Sequence, residues 1–550
     1  MKRRDFLKNT GALASAPLLL NGIPAQSMSH VMNMDNDISD RILVVIQLFG
    51  GNDGLNTFVP INQYDTYKNA RPDIALSDSG TNKYIDLDTT LSSDVQVGLH
   101  PIMTGFKTMY DEGLINMIHG VSYPSQTRSH FHSTDLWISG DDGSSAELKG
   151  SGMGGRYLKS VFPNVIGKPI DNMQDPPGIQ LGSSKPSLFF HTGETFINSI
   201  NLNEQTPDGL YEVASQFTSE FPDVDNSTDY GKSLEHLINT LDSTNLYSEK
   251  IAARYTSGGN SAVTYPSSSL ATQLKTVARL ISGGCKTKLY LLRADGSFDT
   301  HGTQAVTGAS HTGKHADLLD NISSSIKAFQ DDLKNLGVDD KVVGSMFTEF
   351  GRQLPQNASK GTDHGSLNHL FVFGKPVKAG VTGQNVDLSN LVSKAPNPNQ
   401  MQFDYRQVFT SLFQDWLGAS TSILESTELE EFENQKLDII NSSFKVSSEN
   451  LIDNITDSRD NISVTLDSFQ ISPNPAKDIV SIKFEAIESN ENAFIEISTI
   501  DGVIIKQEKA NFIGGTNNVF SIDVSEIDNG QYILRLRSND IVSKKILINR

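Results

Sequence analysis

Through its first 420 residues the chain switches repeatedly between unbroken apolar runs and amphipathic stretches. Ile42-Leu43-Val44-Val45-Ile46 is apolar throughout and is followed closely by a Gly-Gly pair. Successive strand side chains point to opposite faces, so an uninterrupted apolar run predicts a strand buried on both sides. Comparable runs recur at 114–118, 288–292 and 342–347. Between them, Leu318, Leu319, Ile322, Ile326, Phe329 and Leu333 fall at helical spacing within 316–336. Strands alternating with helices predict an α/β sandwich over 41–420, with helices on both faces of the sheet. Residues 421–468 turn rich in Glu, Ser and Asn and are expected to be an acidic linker, although ESTELEEFENQKLDII within them has helical character. From 469 to 550, short apolar runs lie between Asp501-Gly502, Gly514-Gly515 and Asn529-Gly530. That rhythm predicts a small C-terminal β-sandwich.

The N-terminus has a different layout. Lys2-Arg3-Arg4-Asp5-Phe6-Leu7-Lys8 precedes an apolar run over 11–20 and the small-residue site Ile23-Pro24-Ala25. This predicts a twin-arginine-like signal peptide over 1–25, although a plain secretory signal shares the pattern. The run is shorter than the roughly 20 residues a membrane helix needs, and no later segment reaches that length, so no membrane span is expected. The net charge of −20 argues against sequence-independent nucleic-acid binding, which needs a basic surface. The single cysteine, Cys285, excludes a disulfide within the chain and any Cys-x-x-Cys site. It precedes an apolar strand and is expected to be buried. A metal site would have to use Asp, Glu, His and hydroxyl groups, which suit hard or borderline divalent ions.

In a doubly wound sheet, ligands gather where strands deliver their carboxyl ends. Four polar clusters follow strand-like runs. Gly50-Gly51-Asn52-Asp53-Gly54 is the first; it places Asp53 at the sheet edge, or forms a plain turn, and it lacks the third glycine of a dinucleotide fingerprint. In the second, Arg128 and Ser129 precede His130-Phe131-His132 at an expected helix start. Such a start favours anions, and an arginine there can clamp two oxyanion oxygens; a simple serine cap with surface histidines fits the same residues. The third, Asp295-Gly296-Ser297-Phe298-Asp299-Thr300-His301, lets Asp299 and His301 reach one ion from an extended loop. In the fourth, Glu349 and Arg352 come straight off a strand and precede Asp363-His364.

Taken in order, LFGGNDGLNTFVP, SQTRSHFHSTDLWISG, GMGGRYL, FDTHGTQ, TEFGR, GTDHG and FDYRQVFTSLFQDWLG resemble the bacterial family called domain of unknown function 1501. That family looks related to the alkaline phosphatase-like superfamily. The resemblance implies a three-layer sandwich of that type. It also implies Asp53, Asp299, His301, Asp363 and His364 as ligands of divalent ions (zinc, manganese or iron) and Ser129 as nucleophile, with Arg128 or Arg352 holding oxyanion oxygens. The spacing departs from the superfamily pattern, because Thr303 stands four residues after Asp299 where a histidine is usual. No sulfatase-type cysteine lies near Ser129. The C-terminal Pro473-Asn474-Pro475 entry, the central Asp-Gly turn, Asn529-Gly530-Gln531-Tyr532-Ile533 and Lys544-Lys545 resemble the type A sorting domain of the type IX secretion system. This implies passage through that machinery to the cell surface or medium. The function expected is a secreted, metal-dependent hydrolase of phosphate or sulfate esters, acting on a small-molecule or polysaccharide substrate. The alternative is a non-catalytic surface protein of the same fold that binds polysaccharide or a partner protein.

Overall fold

The computed structural model describes residues 40–452 and 470–549, together with the short paired strands Leu19–Leu20 and Ile23–Pro24. Excepted are 146–148, 164, 166, 171–172, 184, 186, 194–197, 203–204, 216–227, 487–489, 499–503, 513–515 and 538–540. Most of the expected signal segment, and the turns at Asp501-Gly502 and Gly514-Gly515, therefore lie outside the described residues. The chain divides into one compact unit of Asp35–Asn454 and a second that contains Ile455–Arg550.

The larger unit is built on a nine-stranded sheet. Its strands are β1 (Ile42–Gln47), β2 (Ile115–Ser122), β3 (Gly178–Gln180), β4 (Ser199–Asn201), β5 (Leu289–Arg293), β6 (Val342–Phe347), β7 (Asn368–Phe373), β8 (Gly380–Thr382) and β9 (Phe403–Asp404). The order is β8-β2-β7-β6-β1-β5-β3-β4, with β9 also pairing with β2. Only β7 runs against the others. Val44 of β1 is in register with Tyr290 of β5 on one side and Gly344 of β6 on the other.

The uninterrupted apolar runs are explained by two separate cores. Val44, Ile46, Tyr290, Leu292, Val342 and Met346 face one core. Their neighbours Leu43, Val45, Leu289, Leu291, Val343 and Phe347 face the other. The period-2 alternation thus serves two buried faces rather than one. The principal helices are α1 (Thr104–Asp111), α2 (His130–Ser139), α3 (Met153–Val161), α4 (Asp229–Ser257), α5 (Ser269–Ser282), α6 (Lys314–Leu336) and α7 (Tyr405–Ser411). Helices α1, α4, α5 and α6 pack into the first core, and α2, α3 and α7 into the second. The expected three-layer α/β sandwich is the observed architecture.

One boundary differs from expectation. The linker expected from residue 421 begins instead with a helix, Thr421–Thr427, and Ile423, Leu424, Leu429, Leu437, Ile439 and Ile440 are buried in the second core. Glu425, Glu428, Glu430 and Glu431 stay exposed. The acidic composition belongs to the solvent face of an amphipathic segment, and composition alone hides its apolar face.

Lys288, just ahead of β5, is 4% exposed. Burial pushes its ammonium down to about 7, partly offset by Asp40. The unfolded chain holds that proton up to about 10.4. Stability from this group is therefore fully present above the unfolded pKa and is lost as pH falls through about 7. Lys288→Met is expected to raise stability by a few kcal/mol near pH 6. That gain should shrink toward pH 10, by roughly 1.4 kcal/mol for each pH step of one between the folded and unfolded pKa values. Urea unfolding at the two pH values checks this, and an equal gain at both would contradict it.

Both sheets of the C-terminal unit are antiparallel. One sheet joins Gln470–Ser472, Ile479–Ala486 and Thr516–Asp523. The other joins Ile504–Phe512, Asn490–Ser498, Gly530–Arg537 and Ile541–Ile548. Val480, Ile482, Phe484 and Ile522 of the first sheet share one core with Ile495, Ile497, Leu534, Leu536 and Ile546 of the second. This is a β-sandwich, as its turn rhythm predicts.

Candidate functional site

The loops after β1, β5 and β6 meet at one end of the sheet, together with the start of α2 that follows β2. Their close approach depends on glycine. Gly50 has φ +122°, and a Cβ there would overlap the backbone nitrogen of Asp299. A Cβ on Gly361 would likewise strike the backbone of Thr300 and His301. Arg352, 2% exposed, ties the loops together from beneath. It donates to the carbonyls of Gly50, Gly51, Phe298 and Thr362, and to Asp299 Oδ1 at 2.7 Å. A guanidinium so fully engaged is a staple; it is not the open oxyanion clamp expected of Arg352.

Three imidazoles converge on the Asp299 carboxylate. His301 Nε2 lies 3.1 Å from Oδ1, His364 Nε2 3.3 Å from Oδ1, and His130 Nε2 3.5 Å from Oδ2. Each ring is oriented through its other nitrogen. His130 Nδ1 meets Glu349 Oε1 at 2.7 Å, His301 Nδ1 meets Asp363 Oδ1 at 3.0 Å, and His364 Nδ1 meets the Arg128 carbonyl at 2.9 Å. An acceptor on Nδ1 favours a proton there, which would leave Nε2 its electron pair for an ion placed between the rings and Asp299, the outer-shell arrangement found around metal-ligating histidines. His130, Asp299 and His364 each offer a ligand atom, all within 4.8 Å of one another. The donor set of imidazole and carboxylate fits a borderline divalent ion.

The electrostatics follow from these contacts. The Glu349 hydrogen bond raises the His130 pKa against its burial. Burial, reinforced by the Arg352 charge, lowers that of His364. For Asp299, burial acts upward but is outweighed by Arg352, His301 and His130, so its carboxyl stays below the usual range. The Asn357 hydrogen bond, helped by His301, lowers Asp363.

Of the residues expected from sequence, Asp299, His301, Asp363 and His364 are brought together. Asp363 touches His301 and Asn357 and so sits behind a ring. Ser129 caps α2 with its side chain exposed and without a capping bond. Arg128 beside it holds φ +60°, a conformation unusual for a non-glycine residue, and its guanidinium reaches Ser366 Oγ at 3.1 Å. Asp53 does not join the cluster. It is fully buried, with Oδ2 bonded to Arg71 at 2.7 Å and to Gln304 at 2.5 Å, and Oδ1 to Arg71 at 3.0 Å. Both oxygens are taken, so Asp53 is a structural anion, not a metal ligand. Cys285 is buried, and burial pushes its thiol up to about 11, which leaves it a poor nucleophile.

Two contributors escape a reading of the sequence. His130 reads as a surface histidine, although its place directly after Ser129 at the helix start is an available signal. Glu349 stands in a cluster without a role; only the fold shows that this fully buried carboxylate accepts from the Gly50 amide and orients His130.

None of the curated proteins matches the sequence. The family described as Protein of unknown function (DUF1501) matches residues 251–414. The family described as Secretion system C-terminal sorting domain matches residues 470–549. Among solved structures, the chain is similar to the C-terminal domain of wzt, at 15% identity over 15% of this chain and 70% of that one, with a TM-score of 0.12. It is also similar to the PsFucS1 sulfatase from Pseudoalteromonas sp., at 11% identity over 92% and 91% of the two chains, with a TM-score of 0.29. A Bacteroides thetaiotaomicron structure, described under the metabolism of multiple glycosaminoglycans, is 9% identical over 92% and 89%, with a TM-score of 0.29.

Proposed function

We propose that this chain, which carries a type IX sorting domain at its C-terminus, is a metal-dependent hydrolase of phosphate or sulfate esters. The sorting domain makes it a secreted or cell-surface protein. No described helix is long and apolar enough to cross a membrane. The observation that carries the catalytic reading is the convergence of three pre-oriented imidazoles on Asp299, beside an exposed serine at a helix start.

His130, Asp299 and His364 would hold a divalent ion of zinc, manganese or iron type, with His301 adjacent. Such an ion supplies Lewis acidity toward an ester oxygen and lowers the pKa of a hydroxyl or water beside it. Ser129 is the nucleophile: its Oγ bonds to phosphorus or sulfur as the bond to the alcohol oxygen breaks, the hydroxyl proton ends on the departing alcohol, and water then hydrolyses the seryl ester to release phosphate or sulfate and restore Ser129. The amides at the start of α2 and its dipole favour the oxyanion there. Arg128, whose guanidinium makes one hydrogen bond among the described residues, orients the non-reacting oxygens.

Metal content of full-length protein purified without chelators, paired with a phosphate- and sulfate-ester screen, tests the reading. Ser129→Ala is expected to abolish turnover while the bound metal stays near the wild-type level. Full turnover in that variant would remove Ser129 as nucleophile. A wild-type protein that takes up no metal, even after soaking in divalent ions, would favour the second reading, a non-catalytic surface protein that binds polysaccharide or a partner. That reading draws support from Asp53: Arg71 holds both its oxygens, so among the described residues it stands apart from the one cluster that could hold an ion, although the resemblance implies it as a ligand.

A further inference from the structure

A cleft of about 700 Å³ opens at the carboxyl ends of β4, β3 and β5, against one side of α5. It lies at the same end of the sheet as the histidine cluster. Asp295 and Gly296 line it, and Asp299 follows in the same loop. Nine of its fourteen lining residues carry polar side chains, so an apolar occupant would leave buried hydroxyls and amides without partners.

Three of these groups make no hydrogen bond or ion pair with any described residue. They are the Gln205 amide, the hydroxyl of Thr276 and the guanidinium of Arg293. Thr276 as a residue is 6% exposed, so its free hydroxyl is set into the wall rather than scattered on the surface. Arg293 is held differently. Its guanidinium lies over the Phe49 ring, 4.7 Å from the centroid, and that ring is 5.6 Å from the imidazole of His130. That cation–π contact holds the guanidinium beside the ring while its N–H donors bond to no described residue. Gln273 closes the floor, donating to the Arg293 carbonyl at 2.9 Å and accepting from its amide at 3.2 Å.

The geometry points to a substrate subsite: the cleft holds the polyhydroxylated body of a sugar or related polyol, and Arg293, on its rim toward His130, binds an oxyanion attached to it. Hydroxyl and amide walls suit a ligand that is itself donor and acceptor at every carbon. A guanidinium held this way suits a phosphate or sulfate group. The inference rests on the ester-hydrolase reading and names the alcohol part of its substrate.

Isothermal titration of the full-length protein with glucose 6-sulfate, glucose 6-phosphate, glucose and inorganic sulfate tests it. At least one sugar ester is expected to bind about tenfold more tightly than glucose or inorganic sulfate, since both halves of the site contribute. Arg293→Gln is expected to remove that advantage and leave glucose binding unchanged. Thr276→Val is expected to weaken glucose and both esters together. Wild-type affinity for the esters in both variants, with unchanged melting temperatures, would overturn the assignment; so would inorganic sulfate binding as tightly as the esters. Release of sulfate or phosphate is followed separately. Ester binding with this variant pattern but no release would sink the hydrolase reading and keep the subsite. Release that neither variant alters would sink the subsite and keep the hydrolase.

Discussion

Asp299→Asn is expected to empty the site of metal and to abolish ester hydrolysis, with the fold left standing. The carboxylate is the common partner of His130, His301 and His364, and it also takes the Arg352 ion pair at 2.7 Å. An amide keeps the shape and can still accept from Arg352, but it loses the anionic charge that a divalent ion requires. Loss of an outer-shell partner typically weakens metal binding about 10–100-fold, so loss of the central ligand should exceed about 100-fold. Mass spectrometry of the purified variant, beside its melting temperature, reads the result. A full equivalent of metal retained by a folded Asp299→Asn protein would move the metal centre elsewhere.

Arg71→Ala carries the largest expected loss of stability. Arg71 and Asp53 are both fully buried. The guanidinium also donates to Asn56 Oδ1 at 2.6 Å and to the carbonyls of Leu354 and Gln353 at 2.6 and 2.8 Å. Truncation leaves the Asp53 anion without its counter-charge, which costs about 3–5 kcal/mol for a buried pair broken on one side. Denaturant unfolding measures this. The double variant Arg71→Met with Asp53→Asn should recover part of the loss, because it leaves no uncompensated charge. A double variant less stable than Arg71→Ala would refute that account. The pH dependence follows the same pair. Burial acts to raise the Asp53 pKa, but Arg71 and His315 outweigh it and the net effect is downward. Its contribution is therefore present above the unfolded carboxylate pKa and is lost as pH falls through the lower folded value.

Local pattern exposes much of the scaffold. The run 42–46 is legible as a doubly buried strand because both faces of β1 meet apolar cores, and the helical spacing within 316–336 matches α6 because one face of that helix is buried. The segment after 421 misleads for the same kind of reason: its exposed glutamates dominate composition, while its buried leucines and isoleucines are too widely placed to form a run. Asp53 misleads because its neighbours in sequence, Gly50 and Gly51, do form a site-building loop; the arginine that neutralises it arrives 18 positions later.

By itself, the order of residues determined the long buried strands at 42–47, 115–122, 289–293 and 342–347, the helix within 316–336, the buried cysteine and the C-terminal sandwich. All of these depend on side-chain periods of two or 3.6 and on turn chemistry within a few residues. Tertiary structure alone decided which polar groups act together. Asp299 and His364 come from two loops and His130 from the start of α2, and their ligand atoms gather within 4.8 Å only because the sheet order sets β1 between β5 and β6. The same packing turned Arg352 into a staple, assigned Glu349 to His130 and gave Asp53 to Arg71. Coordination and ion pairing are settled by distances of a few ångströms between residues far apart in the chain, and no local period encodes those distances.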